Sequence, residues 1–103
     1  MTEIIFAYNF VDEFLQFQHF VEGKNLNIKY LDDNDAKEMK EIMLLEKEYK
    51  VRYKPLIIVK QDDEVVKVFK QGPYSVEREG PLFTAIGNFK KYINEQERIS
   101  NNS

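Results

Sequence analysis

The sequence predicts an α/β domain with the element order β-α-β-α-β-β-α and a four-stranded mixed sheet flanked by helices. An apolar run and an alternating run, both of strand length, are each followed by a segment with helical spacing, and two further β-rich runs flank a polar turn. A strand that crosses over through a helix to a parallel partner, followed by an antiparallel hairpin, gives such a sheet. The length of 103 residues suits a single domain. We place this domain at residues 1–95 and a flexible tail at residues 96–103.

The first half of the chain supplies the two strands that we expect to be parallel. Residues 3–8 form a short apolar run, which is typical of a central strand buried on both faces. Across residues 10–21 the apolar side chains recur at helical spacing, with Asn9 before them as a candidate cap and Gly23 after them. Residues 27–31 alternate between polar and apolar and predict the second strand.

Two further helices are predicted downstream. Asp35 and Glu38 resemble a capping box at the start of a helix over residues 36–50. Residues 74–80 are polar and predict a loop, after which Pro81 suits the first position of a last helix. The apolar residues of that helix recur at helical spacing: Leu82, Ile86, Phe89 and Ile93.

The remaining two strands form a predicted hairpin that is entered through a proline. Residues 56–60 and 65–70 are rich in residues that favour strands, and the polar residues 61–64 separate them. Pro55 has no N–H to donate to a ladder, so we expect it at the mouth of the first strand and not inside it. The dipeptide Gly72-Pro73 then closes the second strand.

The segment that enters this hairpin resembles the thioredoxin family. In thioredoxins a helix ends in Tyr-x-Val, a proline follows four residues after the valine, a strand begins at once, and an acidic or Gly-Glu turn leads to the next strand. Tyr49, Val51 and Pro55 stand at those spacings here, and Asp63-Glu64 stands at the turn. The resemblance implies the minimal thioredoxin fold, which has the predicted element order. The chain departs from the family pattern at three positions: Lys54, Leu56 and Asp63.

The chemistry of that family is missing, because the chain has no cysteine. The family's Cys-x-x-Cys motif would fall on residues 11–14, with Val11 and Phe14 at the sulfur positions. Thiol–disulfide exchange needs a thiolate nucleophile, which neither residue supplies, so we expect no such oxidoreductase activity. Val11 and Phe14 have two alternative roles. They are core residues of the helix stripe, or they form a partly exposed apolar contact patch in place of an ancestral redox site.

A substrate groove is the second feature that the resemblance implies. In thioredoxin-like proteins the matching proline is cis, and the backbone of the residue before it pairs with an extended substrate segment. We therefore expect a cis Lys54–Pro55 bond and a groove beside it, the alternative being that Pro55 only shapes the strand entry. The residues expected at the partner-binding surface are Phe10, Val11, Phe14, Lys54, Pro55, Gly72 and Pro73.

The leading hypothesis is a redox-inactive, thioredoxin-like protein-interaction module, such as an adaptor, an inhibitor or an assembly subunit, that binds an unidentified protein partner through this groove. One alternative is a glutathione-transferase-like enzyme or carrier that binds a thiol cofactor, for which Tyr8 is the nearest activating residue. Another is weak binding of single-stranded nucleic acid by the basic and aromatic residues 47–54. Such a segment is more commonly the C-terminal end of a helix, where the negative end of the helix dipole stabilises cations. Catalysis is the less favoured reading, and no cofactor is predicted.

Composition and charge argue against several other classes. The net charge of −3 disfavours broad nucleic-acid binding. Residues 32–35 are acidic but lack the EF-hand pattern, and His19 is the only histidine, so no metal site is predicted. No stretch approaches the about 20 apolar residues of a membrane helix, and no secretory signal is recognisable, so we expect a cytoplasmic protein without a membrane partner. No motif indicates the oligomeric state.

Overall fold

The computed structural model describes residues 2–71 and 84–101, and its elements follow the order β-α-β-α-β-β-α. The predicted fold class is therefore confirmed. In chain order the elements are β1 (Thr2–Tyr8), α1 (Val11–Val21), β2 (Asn27–Asp32), α2 (Ala36–Tyr49), β3 (Tyr53–Gln61), β4 (Glu64–Gln71) and α3 (Ala85–Asn101).

The four strands form one mixed sheet in the order β2-β1-β3-β4. β1 pairs with β2 in parallel and with β3 antiparallel, and β3 pairs antiparallel with β4. The crossover through α1 produces the parallel pair, and the tight turn after β3 produces the antiparallel one. Ala7 lies opposite Leu56, so the residues that follow β1 meet those that begin β3. We call this end of the sheet, where Tyr8 and Pro55 lie, the Pro55 end.

Helices cover both faces of the sheet, and each face has its own core. α1 and α3 pack on one face, where Phe6, Phe17 and Phe89 are completely buried. The rings of Phe6 and Phe17 stack with their centroids 4.0 Å apart. On the other face Ile42 of α2 packs with Leu56. β1 contributes side chains to both cores, which explains its uninterrupted apolar run, and each such burial contributes roughly 1.5–3 kcal/mol.

Pro55 lies inside β3 and not at its mouth, so this detail of the prediction was wrong. β3 begins at Tyr53, and its ladder with β4 shifts register between Tyr53 and Leu56. Pro55 falls in this irregular stretch, where its missing N–H removes no regular ladder hydrogen bond. The Lys54–Pro55 peptide bond is cis.

The hairpin turn is shorter than predicted. β3 extends to Gln61 and β4 begins at Glu64, which leaves Asp62 and Asp63 as the turn, with φ angles of 52° and 72°. Positive φ at both central residues is what a type I′ turn requires, and the twist of that turn matches the twist of the strands. Aspartate tolerates this left-handed conformation better than most residues, so the acidic pair suits the position.

The first two helices begin in different ways. The N-cap of α1 is Phe10 and not the predicted Asn9, and no side chain caps this helix. The predicted cap of α2 is confirmed, because the Asp35 carboxylate accepts the N–H groups of the second and third helical residues at 2.9 and 3.1 Å. Glu38 accepts the N–H of Asp32 at 3.1 Å, so its carboxylate serves the preceding turn.

The last helix continues further than the composition of the chain indicated. α3 extends to Asn101 and so includes residues 96–101, where a tail was predicted. Its side chains from residue 94 to residue 100 are exposed, which accounts for the polar composition. The predictions of a loop at residues 74–80 and of a helix start at Pro81 lie outside the described residues. Three members of the predicted apolar stripe are buried: Ile86, Phe89 and Ile93.

Candidate functional site

An exposed group of apolar side chains marks the start of α1 at the Pro55 end. Phe10 and Val11 are 64% and 65% exposed, and Leu15, one turn later, is 52% exposed. We call these three residues the apolar tip. Of the two roles considered for Val11, a place in the helix core is therefore wrong, and the side chain is available for contact. Neighbouring exposed apolar side chains are a feature of interaction surfaces.

Phe14 is a core residue, the role that Val11 lacks. Its ring is half-buried, and its centroid lies 5.1 Å from that of Tyr8 and 5.0 Å from that of Tyr30. Both tyrosine rings also contact Phe6, so Phe14 extends the aromatic core on this face of the sheet. The side chain therefore packs as the helix stripe predicts, and it contributes to the site by supporting the start of α1.

The side chain of Lys54 lies on the α2 side of the sheet. Its Nζ is 2.9 Å from Oε2 of Glu46 and 3.5 Å from Oδ2 of Asp33, and the side chain is only 12% exposed. Burial lowers the pKa of Lys54, but the hydrogen bond and charge of Glu46, together with Asp33, outweigh that effect and raise the pKa. The side chain is thus occupied within the fold, and only the backbone of Lys54 remains for contact with a partner.

A groove of about 360 Å³ lies beside Pro55, between α1, the end of β4 and the start of α3. Its size falls in the range of ligand pockets, about 300–1,000 Å³. Pro55 itself is fully buried. The two other residues predicted for this surface, Gly72 and Pro73, lie outside the described residues. The lining includes Glu13, Gln16, Pro55, Gln71, Ile86 and Lys90.

Glu13 is the acidic residue of this groove. Burial raises the pKa of its carboxyl, and a hydrogen bond with the backbone of Phe10 acts in the opposite direction. Within the described part of the chain, Oε1 of Glu13 is buried without a hydrogen-bond partner, as is Oδ1 of Asn9. An unpaired buried oxygen disfavours the charged form, so the ionised carboxylate of Glu13 is costly in the folded protein.

The wall of the groove opposite α1 is fixed by two hydrogen bonds. Oε1 of Gln71 accepts the N–H of Ala85 at 3.0 Å, which joins the end of β4 to the start of α3. Oγ1 of Thr84 accepts the N–H of Gly87 at 2.9 Å and caps that helix. Both bonds satisfy helical N–H groups that have no partner within the helix, and they hold α3 in place beside Pro55.

The turn between β2 and α2 is joined to the chain just before α1. The N–H of Asp33 donates to the carbonyl of Tyr8 at 2.9 Å, and Nδ2 of Asn34 donates to the carbonyl of Asn9 at 3.2 Å. These bonds hold the acidic turn at residues 32–35 next to the residues that directly precede the apolar tip. The Pro55 end therefore combines exposed apolar side chains, a groove and an acidic turn.

Comparison with protein-family models, curated proteins and solved structures gave no match. The resemblance to thioredoxins thus rests on Tyr49, Val51, Pro55 and the acidic turn, and it stays a prediction. No helix within residues 2–71 and 84–101 is long and apolar enough to cross a membrane. Over the same residues, no group of three or more histidine, cysteine, aspartate or glutamate side chains is arranged to bind a metal ion.

Tyr8 is poorly suited to activating a thiol. Burial raises the pKa of its hydroxyl, and the charges of Asp32 and Glu38 raise it further. The same two carboxylates would repel a thiolate held near Tyr8. The local electrostatics therefore oppose the alternative of a thiol-cofactor enzyme or carrier.

The basic segment 47–54 presents less surface for nucleic acid than its sequence indicated. Tyr49 is half-buried against the core on the α2 face, and Lys54 is ion-paired within the fold. Tyr53 is 41% exposed and is the ring of this segment that is most available for stacking. Lys50 ends α2 in the left-handed conformation, with Lys47 in its last turn, as expected for cations at a helix C-terminus.

A second concavity, of about 620 Å³, lies at the opposite end of the sheet. Its lining includes Leu26, Val59 and Tyr92, together with an ion pair in which Nζ of Lys24 is 2.7 Å from Oε1 of Glu97. The lysine is already paired and the lining also includes Glu22, so this concavity does not favour an anionic ligand. The concavity is separate from the groove beside Pro55.

Proposed function

We propose that this protein is a redox-inactive, thioredoxin-like interaction module that binds an extended segment of another protein at the Pro55 end. The apolar tip carries the proposal, because Phe10 and Val11 are 64% and 65% exposed where the family resemblance places a redox motif. The chain has no cysteine, so this surface cannot perform thiol–disulfide exchange, and its exposed apolar side chains favour contact with a partner.

The apolar tip supplies anchors for a partner. Fully burying a phenylalanine or valine side chain contributes about 1.5–3 kcal/mol, and aromatic anchors dominate many protein interfaces. Phe10 and Val11 keep most of their surface in contact with water, so they retain most of that contribution for binding. Glu13, in the first turn of the same helix, lines the groove, whereas Phe10 and Val11 lie outside its lining. A segment that contacts both anchors and the groove must therefore extend across the start of α1.

β3 supplies backbone for pairing with an extended segment. Its ladder with β1 ends at Leu56, and its ladder with β4 is irregular between Tyr53 and Leu56. The backbone of Lys54 therefore lies outside both regular ladders. An extended chain can add to such backbone in the manner of a further strand, and the resemblance to thioredoxins implies substrate pairing at the same residue.

The test is a selection of peptides displayed on phage against the folded protein, followed by affinity measurements on the purified peptides. The Phe10→Ser/Val11→Ser variant is expected to lose at least about tenfold in affinity, because removing both anchors exceeds the 1.4 kcal/mol that tenfold represents. Leu44→Ser is the matched control, since Leu44 is 70% exposed on α2 and its loss should leave affinity unchanged. Circular dichroism verifies that each variant is folded.

Three results would contradict the proposal. Selected peptides that bind the Phe10→Ser/Val11→Ser variant as tightly as the wild type would place the contact elsewhere on the protein. Failure to select any peptide that binds the folded protein would contradict recognition of an extended segment. A loss shared equally with Leu44→Ser would indicate nonspecific adhesion to exposed apolar residues.

A further inference from the structure

The apolar tip is bordered by carboxylates from two elements. α1 contributes Asp12, which is exposed, and the turn between β2 and α2 contributes Asp33 and Asp35. Hydrogen bonds from that turn to the carbonyls of Tyr8 and Asn9, at 2.9 and 3.2 Å, hold it beside the start of α1. We call Asp12, Asp33 and Asp35 the acidic rim.

Lys37 and Lys54 do not neutralise the acidic rim. Lys54 lies between Asp33 and Glu46, so its single charge is shared by two carboxylates. Lys37 is in the first turn of α2 and is followed directly by the carboxylate of Glu38. Lys54 is therefore matched by a further acidic group, whereas Lys37 adds one positive charge beside the exposed carboxylates of Asp12 and Asp35.

Two other sources of positive charge are also limited. Lys90 lines the far wall of the groove, and its Nζ lies 5.5 Å from the ring centroid of Phe20. The N-termini of α1 and α2 each carry about half a positive charge, which offsets about one carboxylate in total. With the partly exposed carboxylates of Asp32 and Glu38, whose charges reach Tyr8, the acidic groups beside the start of α1 outnumber these cations.

We propose that the segment bound at the apolar tip is basic, with lysine or arginine side chains against the acidic rim and an apolar residue against Phe10 and Val11. This inference rests on the proposed function and specifies the chemistry of the partner. Opposite charges accelerate the encounter and orient the bound chain. An acidic segment would instead bring like charges together, which the same rim would disfavour.

The phage selection tests this inference through the composition and the salt dependence of the peptides that it yields. Lysine and arginine are expected to exceed aspartate and glutamate in the selected peptides. Raising NaCl from about 0.1 M to about 1 M shortens the Debye length from about 10 Å to about 3 Å, so the association rate should fall. Asp12→Asn should weaken binding by about two- to fivefold, the range of an exposed charge.

Glu64→Gln is the matched control for the change of charge. Glu64 pairs with Gln61, which lies opposite Thr2, so it is at the far end of the sheet. The substitution removes the same charge as Asp12→Asn and should leave the affinity unchanged. Equal losses in the two variants would mean that total charge, and not the acidic rim, governs binding, and would overturn the inference.

The outcomes separate this inference from the proposed function. Peptides that depend on Phe10 and Val11 but show neither enrichment in lysine and arginine nor salt dependence would overturn the basic partner and leave the interaction module standing. Peptides whose binding is unaffected by the Phe10→Ser/Val11→Ser variant would overturn both proposals.

Discussion

Lys54→Met tests whether the contribution of an ion pair to stability depends more on the burial of its side chains than on the distance between its charged atoms. Nζ of Lys54 lies 2.9 Å from Glu46 and 3.5 Å from Asp33, and the three side chains are 12%, 21% and 26% exposed. Removing one partner of a fully buried pair costs about 3–5 kcal/mol, and an exposed pair contributes about 0–1 kcal/mol. The partial exposure of this network places the expected loss at about 2 kcal/mol of unfolding free energy.

Lys29→Met is the matched control. Nζ of Lys29 lies 2.7 Å from Oε1 of Glu41, but the two side chains are 50% and 43% exposed. The expected loss is below about 0.5 kcal/mol, although this pair is the shorter one. Urea unfolding followed by circular dichroism measures both variants. Losses of equal size, or a larger loss for Lys29→Met, would refute the reasoning.

The pH dependence of Lys54→Met gives an independent check. The folded protein raises the pKa of Lys54 above its ordinary value of 10.5. The stabilisation is therefore fully present below pH 10.5 and is lost as the pH rises through the folded value. The difference between wild type and variant should be constant near neutral pH and should shrink only in strongly alkaline solution. A difference that shrinks at neutral pH would contradict this assignment.

Two further substitutions test the groove and the core. Glu13→Gln should raise the melting temperature at pH 7, because burial raises the pKa of Glu13. The folded wild type loses stability as the pH rises from the ordinary pKa of 4.5 through the raised pKa of Glu13. The stability advantage of the variant should therefore vanish below pH 4.5. Phe17→Ala should cost about 3–5 kcal/mol in urea unfolding, since Phe17 is completely buried against Phe6. A loss below about 1 kcal/mol would contradict that packing.

The fold was predictable because its elements have local signatures. The apolar run of β1, the helical spacing after it and the polar turn before β4 each span only a few residues, and their order restricts the sheet topology. The position of Pro55 within β3 was harder to predict from the sequence. The missing N–H excludes a regular ladder position, but it does not reveal that β3 begins two residues earlier and shifts register around the proline.

The candidate site was predicted less well, because it depends on contacts between distant elements. Val11 and Phe14 belong to the same stripe in sequence, yet Phe14 packs against Tyr8 and Tyr30 whereas Val11 is exposed. The helical spacing alone cannot separate them. The groove also draws residues from α1, β4 and α3, which share no common spacing along the chain.

The side chain of Lys54 illustrates the same limit. Its place before Pro55 indicated a role in the groove, but the cation pairs with Glu46 and Asp33 on the α2 side. Nothing in the local sequence connects these three residues, which come together only when α2 crosses the sheet. The family resemblance predicts a binding groove beside Pro55, and tertiary contacts determine that the Lys54 side chain is occupied elsewhere.

The start of α1 brings stability and recognition into conflict at one residue. Phe10 occupies the N-cap, where serine, threonine, aspartate or asparagine would contribute about 0.5–2 kcal/mol by accepting a free N–H. Directed evolution for heat resistance alone would therefore favour replacing Phe10. Under the proposed function, the same replacement removes an anchor of the apolar tip, so the more heat-resistant protein would be the one that releases its partner.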